Sequence, residues 1–187
     1  MKENAAKIDT VDPEVELKKL LAKFEGLANI TRATWFEWRE AAVACARPEF
    51  KPIDLVLKAW EVVGHDTAKA YFNALNRASP TFTRDIAKCI VNSSTVMGED
   101  ARIVEGQDKS KNEVFVQWDH CPWPEFSRRY NVPMEEDVLG CDMWFQTVIK
   151  DINSLFNTKV KLETLKAIPR GDCVCLRRIT MEPIAKK

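Results

Sequence analysis

The chain has 187 residues, and its 28 Lys and Arg balance its 28 Asp and Glu, so formal net charge is zero. That balance lacks the basic excess that nucleic acid or an anionic membrane surface would demand, and neither is expected as a partner. A hydrophobic fraction of 45% over this length suffices for a sizeable core without disulfide staples.

No apolar run approaches the roughly 20 residues of a membrane span. The sequence from Met1 leads into a charged amphipathic pattern without an apolar leader core. A cytoplasmic location is therefore expected. In a reducing compartment, six cysteines point to burial, metal binding or catalysis before structural disulfides.

Residues 1–12 are polar and expected to be loosely attached. Asp12 is a cap and Pro13 a first helical residue, opening a helix whose apolar positions are Leu17, Leu20, Leu21, Phe24 and Leu27. Gly26 is expected to help end it. A second helix is predicted over residues 31–46. Its stripe of Trp35, Trp38, Ala42 and Cys45 is read as facing inward, with Cys45 a small buried hydrophobe. A third helix begins near Pro52 with Ile53, Val56, Leu57, Trp60 and Val63 on one face. Gly64-His65-Asp66 is read as an interruption, with Asp66 capping a further helix and His65 a surface residue at a helix end. A fourth helix, residues 80–91, turns Phe82, Ile86, Cys89 and Ile90 inward.

The pattern changes after Ser93. Residues 101–106 and 113–118 alternate as strands do, with a polar loop over 107–112, which predicts a hairpin. An irregular Pro-rich segment follows, with one turn around residues 125–129. A helix over 139–156 carries Cys141, Trp144, Phe145, Val148, Ile152 and Leu155 on its inner face, and Asn157 is its expected stop. Strands over 160–168 and 173–181 flank the turn Pro169-Arg170-Gly171-Asp172. Residues 182–187 are a polar tail. The expected fold class is α+β, in which N-terminal helices pack on a β-β-α-β-β half with a four-stranded, mostly antiparallel sheet. Residues 1–97 form the helical part and 98–187 the part that carries the cysteines, together one structural domain.

The stretch Asp119-His120-Cys121-Pro122-Trp123-Pro124 sets an imidazole beside a thiol at a strand exit. Cys141, placed by the expected boundary in the first turn of its helix, would have its thiolate favoured by the helix dipole. Period two puts Cys173, Cys175 and Arg177 on one face of the last strand. Three readings of these groups stand open. One is a reactive site, with Cys121 or Cys141 activated by a base such as His120, Asp119 or Asp142. Another is a metal centre, with zinc or an iron–sulfur cluster held by Cys121, Cys141 and Cys175 and by Cys173 or His120 as the fourth group. The third is plain packing.

Arg128 and Arg129 are candidate anchors for a ligand carboxylate, or a solvated pair. Trp118, Trp123 and Trp144 are candidate core or pocket walls. Glu135-Glu136-Asp137 is read as helix-start charge. Phosphate-binding glycine loops, GxSxG and HExxH are absent from the sequence.

Cys121-Pro122 after a strand, Gly140-Cys141 at a helix, and a closing Gly171-Asp172-Cys173-Val174-Cys175 resemble the 2-aminothiazoline-4-carboxylate hydrolase family and its uncharacterised bacterial relatives. In that pattern Cys121, Cys141 and Cys175 occupy the recurrent cysteine positions. A more distant similarity is to vinyl-four-reductase domains, which bind small molecules and can hold zinc through cysteines. The resemblance implies an α+β fold. The expected function is a hydrolase acting on a small heterocyclic or amide-like acid; read from the residues themselves, Cys121 or Cys141 is the thiol, His120 the base, Arg128 or Arg129 the carboxylate anchor and Trp144 a substrate contact, while Cys173 and the His120-Cys121 pair have no place in the family pattern. The alternatives are a cysteine-ligated metal or ligand-sensing module, or an accessory subunit of a larger enzyme. The last would leave an apolar patch around Trp35, Trp38 and Trp60. A homo-oligomer is a further expectation.

Overall fold

A computed structural model describes residues 12–105 and 112–182. The expected N-terminal polar stretch, the hairpin loop up to residue 111 and the tail beyond residue 182 lie outside them. The element order is α1 (Pro13–Cys45), α2 (Pro52–Phe72), α3 (Phe82–Val96), β1 (Asp100–Val104), β2 (Glu113–His120), α4 (Trp123–Arg129), α5 (Met134–Phe156), β3 (Val160–Lys166), a 3-10 turn (Ile168–Arg170) and β4 (Cys175–Met181). The fold is α+β, with N-terminal helices packed on a β-β-α-β-β half whose four antiparallel strands run in the order β1-β2-β4-β3.

Asp12 caps α1 through a 2.9 Å bond from the Glu14 N–H, and Pro13 follows at the first turn. The two helices expected before residue 46 are one. Gly26 has open space around it and does not end α1. A single mid-helix glycine costs only about 1 kcal/mol, too little to break a helix that good formers continue on both sides. The expected stripe holds in part, since Trp35 and Ala42 are half-buried and Trp35 packs on Trp60. Trp38 is 72% exposed and Cys45 is exposed, whereas Ala28, Arg32, Phe36 and Arg39 turn inward.

Gly64 does not interrupt α2, and Asp66 lies within the helix, where it pairs with Lys69. His65 is likewise inside α2, its Nδ1 2.6 Å from Asp151 of α5. A Cβ at Gly64 would lie 2.7 Å from Thr147 Cβ, and one at Gly140 of α5 would lie 2.5 Å from Trp60 Cδ1. Both glycines are therefore contact points between α2 and α5, which bring the two backbones close together.

α3 and α5 cover one face of the sheet. Ile86 and Ile90 from α3 and Phe145, Val148 and Ile152 from α5 meet Val114, Val116 and Trp118 of β2 and Ile179 of β4 in one core. The strands alternate accordingly, because a half-solvated antiparallel sheet needs one apolar face. α5 starts five residues before its expected boundary, directly after Pro133, and its acidic first turn is Glu135, Glu136 and Asp137. It stops at Asn157, which adopts φ 49°. A second, smaller cluster of Phe36, Phe126 and Val132 seats α4 against α1.

Gly140→Ala is expected to destabilise the fold by about 1–3 kcal/mol, the usual cost of overpacking. That corresponds to a Tm lowered by at least about 2 °C for a chain of this size. Calorimetry of the variant beside Gly26→Ala, which meets nothing and should not destabilise, checks the assignment.

Candidate functional site

The site is built where α5 crosses the sheet. Arg177 projects from β4 beneath α5 and is only 3% exposed. Its guanidinium carbon lies 4.1 Å from the Phe145 ring centroid and 5.4 Å from that of Trp118. One end of the group pairs with Asp142 of α5 at 3.1 Å. Asp142 is held in turn by the Thr164 hydroxyl at 2.6 Å, with Arg170 at 3.5 Å. The Nε of Arg177 is buried without a hydrogen-bond partner.

Around this cation sit three thiols and two carboxyls. Burial raises the Cys141 thiol to about 12, against the opposing pull of Arg177. Cys121 is raised well above its ordinary value by burial, then by the charge of Glu99 and by Cys141 and Asp137 nearby. Cys175 is raised as well, chiefly by burial, and its sulfur accepts the Ile168 N–H at 3.3 Å. Glu99, just beyond α3, accepts the indole N–H of Trp118 at 2.9 Å and that of Trp123 at 2.8 Å. Burial nevertheless raises its carboxyl. Asp137 is raised by burial to about 7, with Arg177 and Arg128 opposing and Glu99 adding to the rise. Its Oδ2 is buried and unpartnered.

Asp137 also lines a cleft. Trp35 and Arg39 of α1, Trp60 of α2, and Trp123 and Ser127 of α4 form the other walls. Trp60 packs 5.4 Å from both Trp35 and Trp123, so the walls are aromatic and fixed by one another. Arg39 binds both oxygens of Glu136 at 2.6 Å, a buried bidentate pair that ties α1 to the start of α5. The Ser127 hydroxyl is buried without a partner on the same cleft. The cleft therefore has aromatic walls, a polar floor with unsatisfied groups, and a thiol and guanidinium cluster beside that floor. The free space is about 20 Å³, room for little more than a water, so a ligand with a flat body would enter only if the aromatic walls part.

The structure brings Cys121, Cys141 and Cys175 into this one cluster, and it leaves others outside. Cys173 is exposed and precedes β4, so the face it was expected to share with Cys175 does not form. Among the described residues no three His, Cys, Asp or Glu side chains are arranged to hold a metal ion. The four-cysteine zinc or iron–sulfur set is therefore not assembled. His120 is exposed, with Nε2 3.4 Å from Glu125. Asp119 is held at the surface by Arg102 at 2.5 Å and by Gln117. Cys141 lies in the third turn of α5, beyond the reach of the helix N-terminus, and its thiol is raised where the expected boundary implied a lowered one.

Arg128 is exposed at the end of α4, yet its charge acts on Asp137. Arg129 stacks over Phe126 and Tyr130 at 5.8 and 5.6 Å. Trp144 donates its indole N–H to Thr67 at 3.0 Å and packs on Phe145. Glu99 and Asp137 are the groups that sequence reasoning did not place. Asp137 reads in the sequence as helix-start charge, which it also is. Glu99 carries no local pattern that would single it out.

No curated protein matches the chain. Among solved structures, a trafficking protein particle complex subunit 3 from Naegleria fowleri, covalently bound to palmitic acid, aligns with TM-score 0.51 at 14% identity, covering 85% of this chain and 99% of that one. At that identity the likeness concerns the fold alone. The family of L-2-amino-thiazoline-4-carboxylic acid hydrolase matches residues 28–179, a span that holds the cleft, the three thiols, both carboxyls and Arg177, and the chain belongs to that family.

Proposed function

We propose that the protein hydrolyses a carbon–nitrogen bond in a small heterocyclic or amide-like acid, and that the cleft ending at Asp137 is where it does so. The observation that carries this reading is a carboxyl raised to about 7, with one buried oxygen unpartnered, at the junction of an aromatic cleft and a thiol cluster. A carboxyl poised near neutral pH exchanges protons in both directions under ordinary conditions.

The roles follow from charge and burial. Burial holds all three thiols neutral at rest, so a thiol becomes a nucleophile only as its proton leaves. Cys121 has Asp137 among the groups whose charge acts on it. In the proposed step the Cys121 sulfur attacks the electrophilic carbon while its proton passes to the Asp137 carboxylate. Asp137 then gives that proton to the departing nitrogen. Water adds to the resulting thioester-like carbon and loses a proton to Asp137; the carbon–sulfur bond then breaks and the departing sulfur takes that proton back, restoring the Cys121 thiol and the Asp137 carboxylate. Asp137 thus takes the part that the sequence suggested for His120. Arg177 offers an unpaired N–H beside the cluster, where developing negative charge on the substrate would be stabilised. Arg128 is the better carboxylate anchor of the arginine pair, since its charge reaches the cleft floor. The aromatic walls Trp35, Trp60 and Trp123 would hold the flat body of the substrate.

Wild-type protein should turn over L-2-amino-thiazoline-4-carboxylic acid or a close amide analogue. Cys121→Ser should lower kcat by about 10³-fold or more while the thermal transition stays in place. Undetectable wild-type turnover across such a series, or full activity in that variant, would remove the assignment. A Cys121 variant that is inactive while Cys141→Ser is active would fix which thiol reacts.

The pH dependence gives a second test. Asp137 acts as a base only when ionised, so kcat/KM should rise with pH through a midpoint near 7, and Asp137→Asn should lower it about 10²–10⁴-fold. Stability should move in the opposite direction. In the unfolded chain this carboxyl ionises near its ordinary 3.8, while the fold keeps it protonated up to about 7. Between those values the folded state holds the extra proton, so Asp137 makes stability fall as pH rises, at no more than about 1.4 kcal/mol per pH unit. Denaturant midpoints measured from pH 4 to 8 should flatten in Asp137→Asn relative to wild type.

A further inference from the structure

The first four turns of α1 have no packing partner within the described residues. None of residues 13–27 is buried, and Ala28 is the first buried residue of the helix. The family match also begins at residue 28. Yet the free part of the helix is not built for water. Leu17, Leu20, Leu21, Phe24 and Leu27 are 56, 59, 53, 41 and 63% exposed. Their spacing places all five on one face.

We propose that this face is the seam of a homodimer in which α1 pairs antiparallel with α1 of a second copy. Three observations select that occupant. Leu17, Leu21 and Phe24 follow one another at intervals of four and three, the spacing of a two-helix seam, and the seam ends before Ala28, which the chain itself covers. An antiparallel pair centred between Leu21 and Phe24 sets each against the other of the partner, so one apolar set closes on itself. Charge is the second observation. Lys18 and Glu25 are seven residues apart and so flank the seam on the same side. An antiparallel arrangement brings Lys18 near the partner's Glu25 and Glu25 near the partner's Lys18. A parallel arrangement would leave the two positions a heptad apart, about 10 Å along the axis, and would not bring them together. Lys18 already pairs with Glu14 along that flank at 2.9 Å, which adds a second acidic group to the same edge.

Size is the third. Five half-exposed large side chains offer on the order of 100 Å² each. Two copies would then cover about 1,000 Å², the lower bound for a specific interface between proteins. The stripe does not suit a lipid surface as well. Glu14, Glu16 and Glu25 lie on the same helix segment as Lys18, Lys19 and Lys23, which leaves no basic excess to meet anionic headgroups.

The test is sedimentation velocity of the full chain over roughly 1–100 µM, the range expected for an interface of this size. The expected result is a monomer–dimer equilibrium, with Phe24→Glu shifted to monomer by at least about tenfold in Kd. Glu25→Lys should weaken the dimer by roughly 2–30-fold, and adding Lys18→Glu to it should restore the affinity, because only the antiparallel register puts those two positions together. A monomer throughout this range would overturn the proposal, as would a dimer that survives Phe24→Glu. A monomer that binds phosphatidylcholine and phosphatidylserine vesicles through the same five residues would assign the face to lipid instead. A charge reversal that the double variant does not rescue would rule out the antiparallel register. The substituted positions lie outside the cleft and the core, so an unchanged far-UV spectrum and thermal transition of the monomer serve as the control for folding in every variant.

Discussion

A guanidinium buried between a sheet and a helix fixes the chemistry of everything near it. Taking a charge of this size out of water costs several kcal/mol even after relaxation, and the cost is offset only by good partners. Arg177 has two aromatic faces and the Asp142 carboxylate. Those partners sit on α5 and β2, so the cation ties the helix to the middle of the sheet. Removing one of them would leave the charge uncompensated, typically a loss of about 3–5 kcal/mol. The same cation explains why so many polar groups can share one interior. Glu99, Asp137, Cys141 and Cys175 all sit within its field, and it opposes the burial that raises Asp137 and Cys141.

The cleft depends on a different device. α2 and α5 approach closely because Gly64 and Gly140 carry no side chain at their contacts. That approach presses Trp60 against Gly140 and sets its ring between Trp35 and Trp123. The buried Arg39–Glu136 pair then pins α1 beside the first turn of α5, where Asp137 is the next residue. The wall and the floor of the cleft are thus positioned by neighbouring residues of one helix turn. A buried ion pair is a weak source of stability but a strong source of register, and here it sets α1 against α5 at the mouth of the site.

Much of this is legible in the sequence, where it rests on period. The alternation of β4 puts Cys175 and Arg177 on one face, and both are buried there. The order of helices and strands and the stop at Asn157 are legible for the same reason. Where a single residue has to decide, the sequence misleads. Gly26 and Gly64 look like breaks, but a glycine ends a helix only when the residues after it cannot continue the turn. Trp38 and Cys45 share a true helical stripe whose direction sequence cannot supply, since two tryptophans predict burial and the inner face instead carries Arg32 and Arg39. The expected boundary at residue 139 puts Cys141 in a first turn because it omits Met134–Val138 from the helix, and that shift of five residues inverts the electrostatics at the thiol. Glu99 and Asp137 are illegible as site residues for a simpler reason. Their behaviour comes from being surrounded by segments distant in the chain, and no local pattern encodes that.

α1 connects the cleft to the outer surface. Its packed second half supplies Trp35 and Arg39 to the cleft, and the same helical face continues over the exposed first half as Leu17, Leu21 and Phe24. Within the described residues the helix is buried from Ala28 onward, chiefly at Arg32, Phe36 and Arg39. Arg32 bonds Asn29 at 2.7 Å and the carbonyl of Met97, so even this hold reaches back to the segment that carries Glu99. The helix is thus anchored over its second half and carries its exposed apolar surface over its first, so the residues that build the cleft and those that meet the outside are separate stretches of one element.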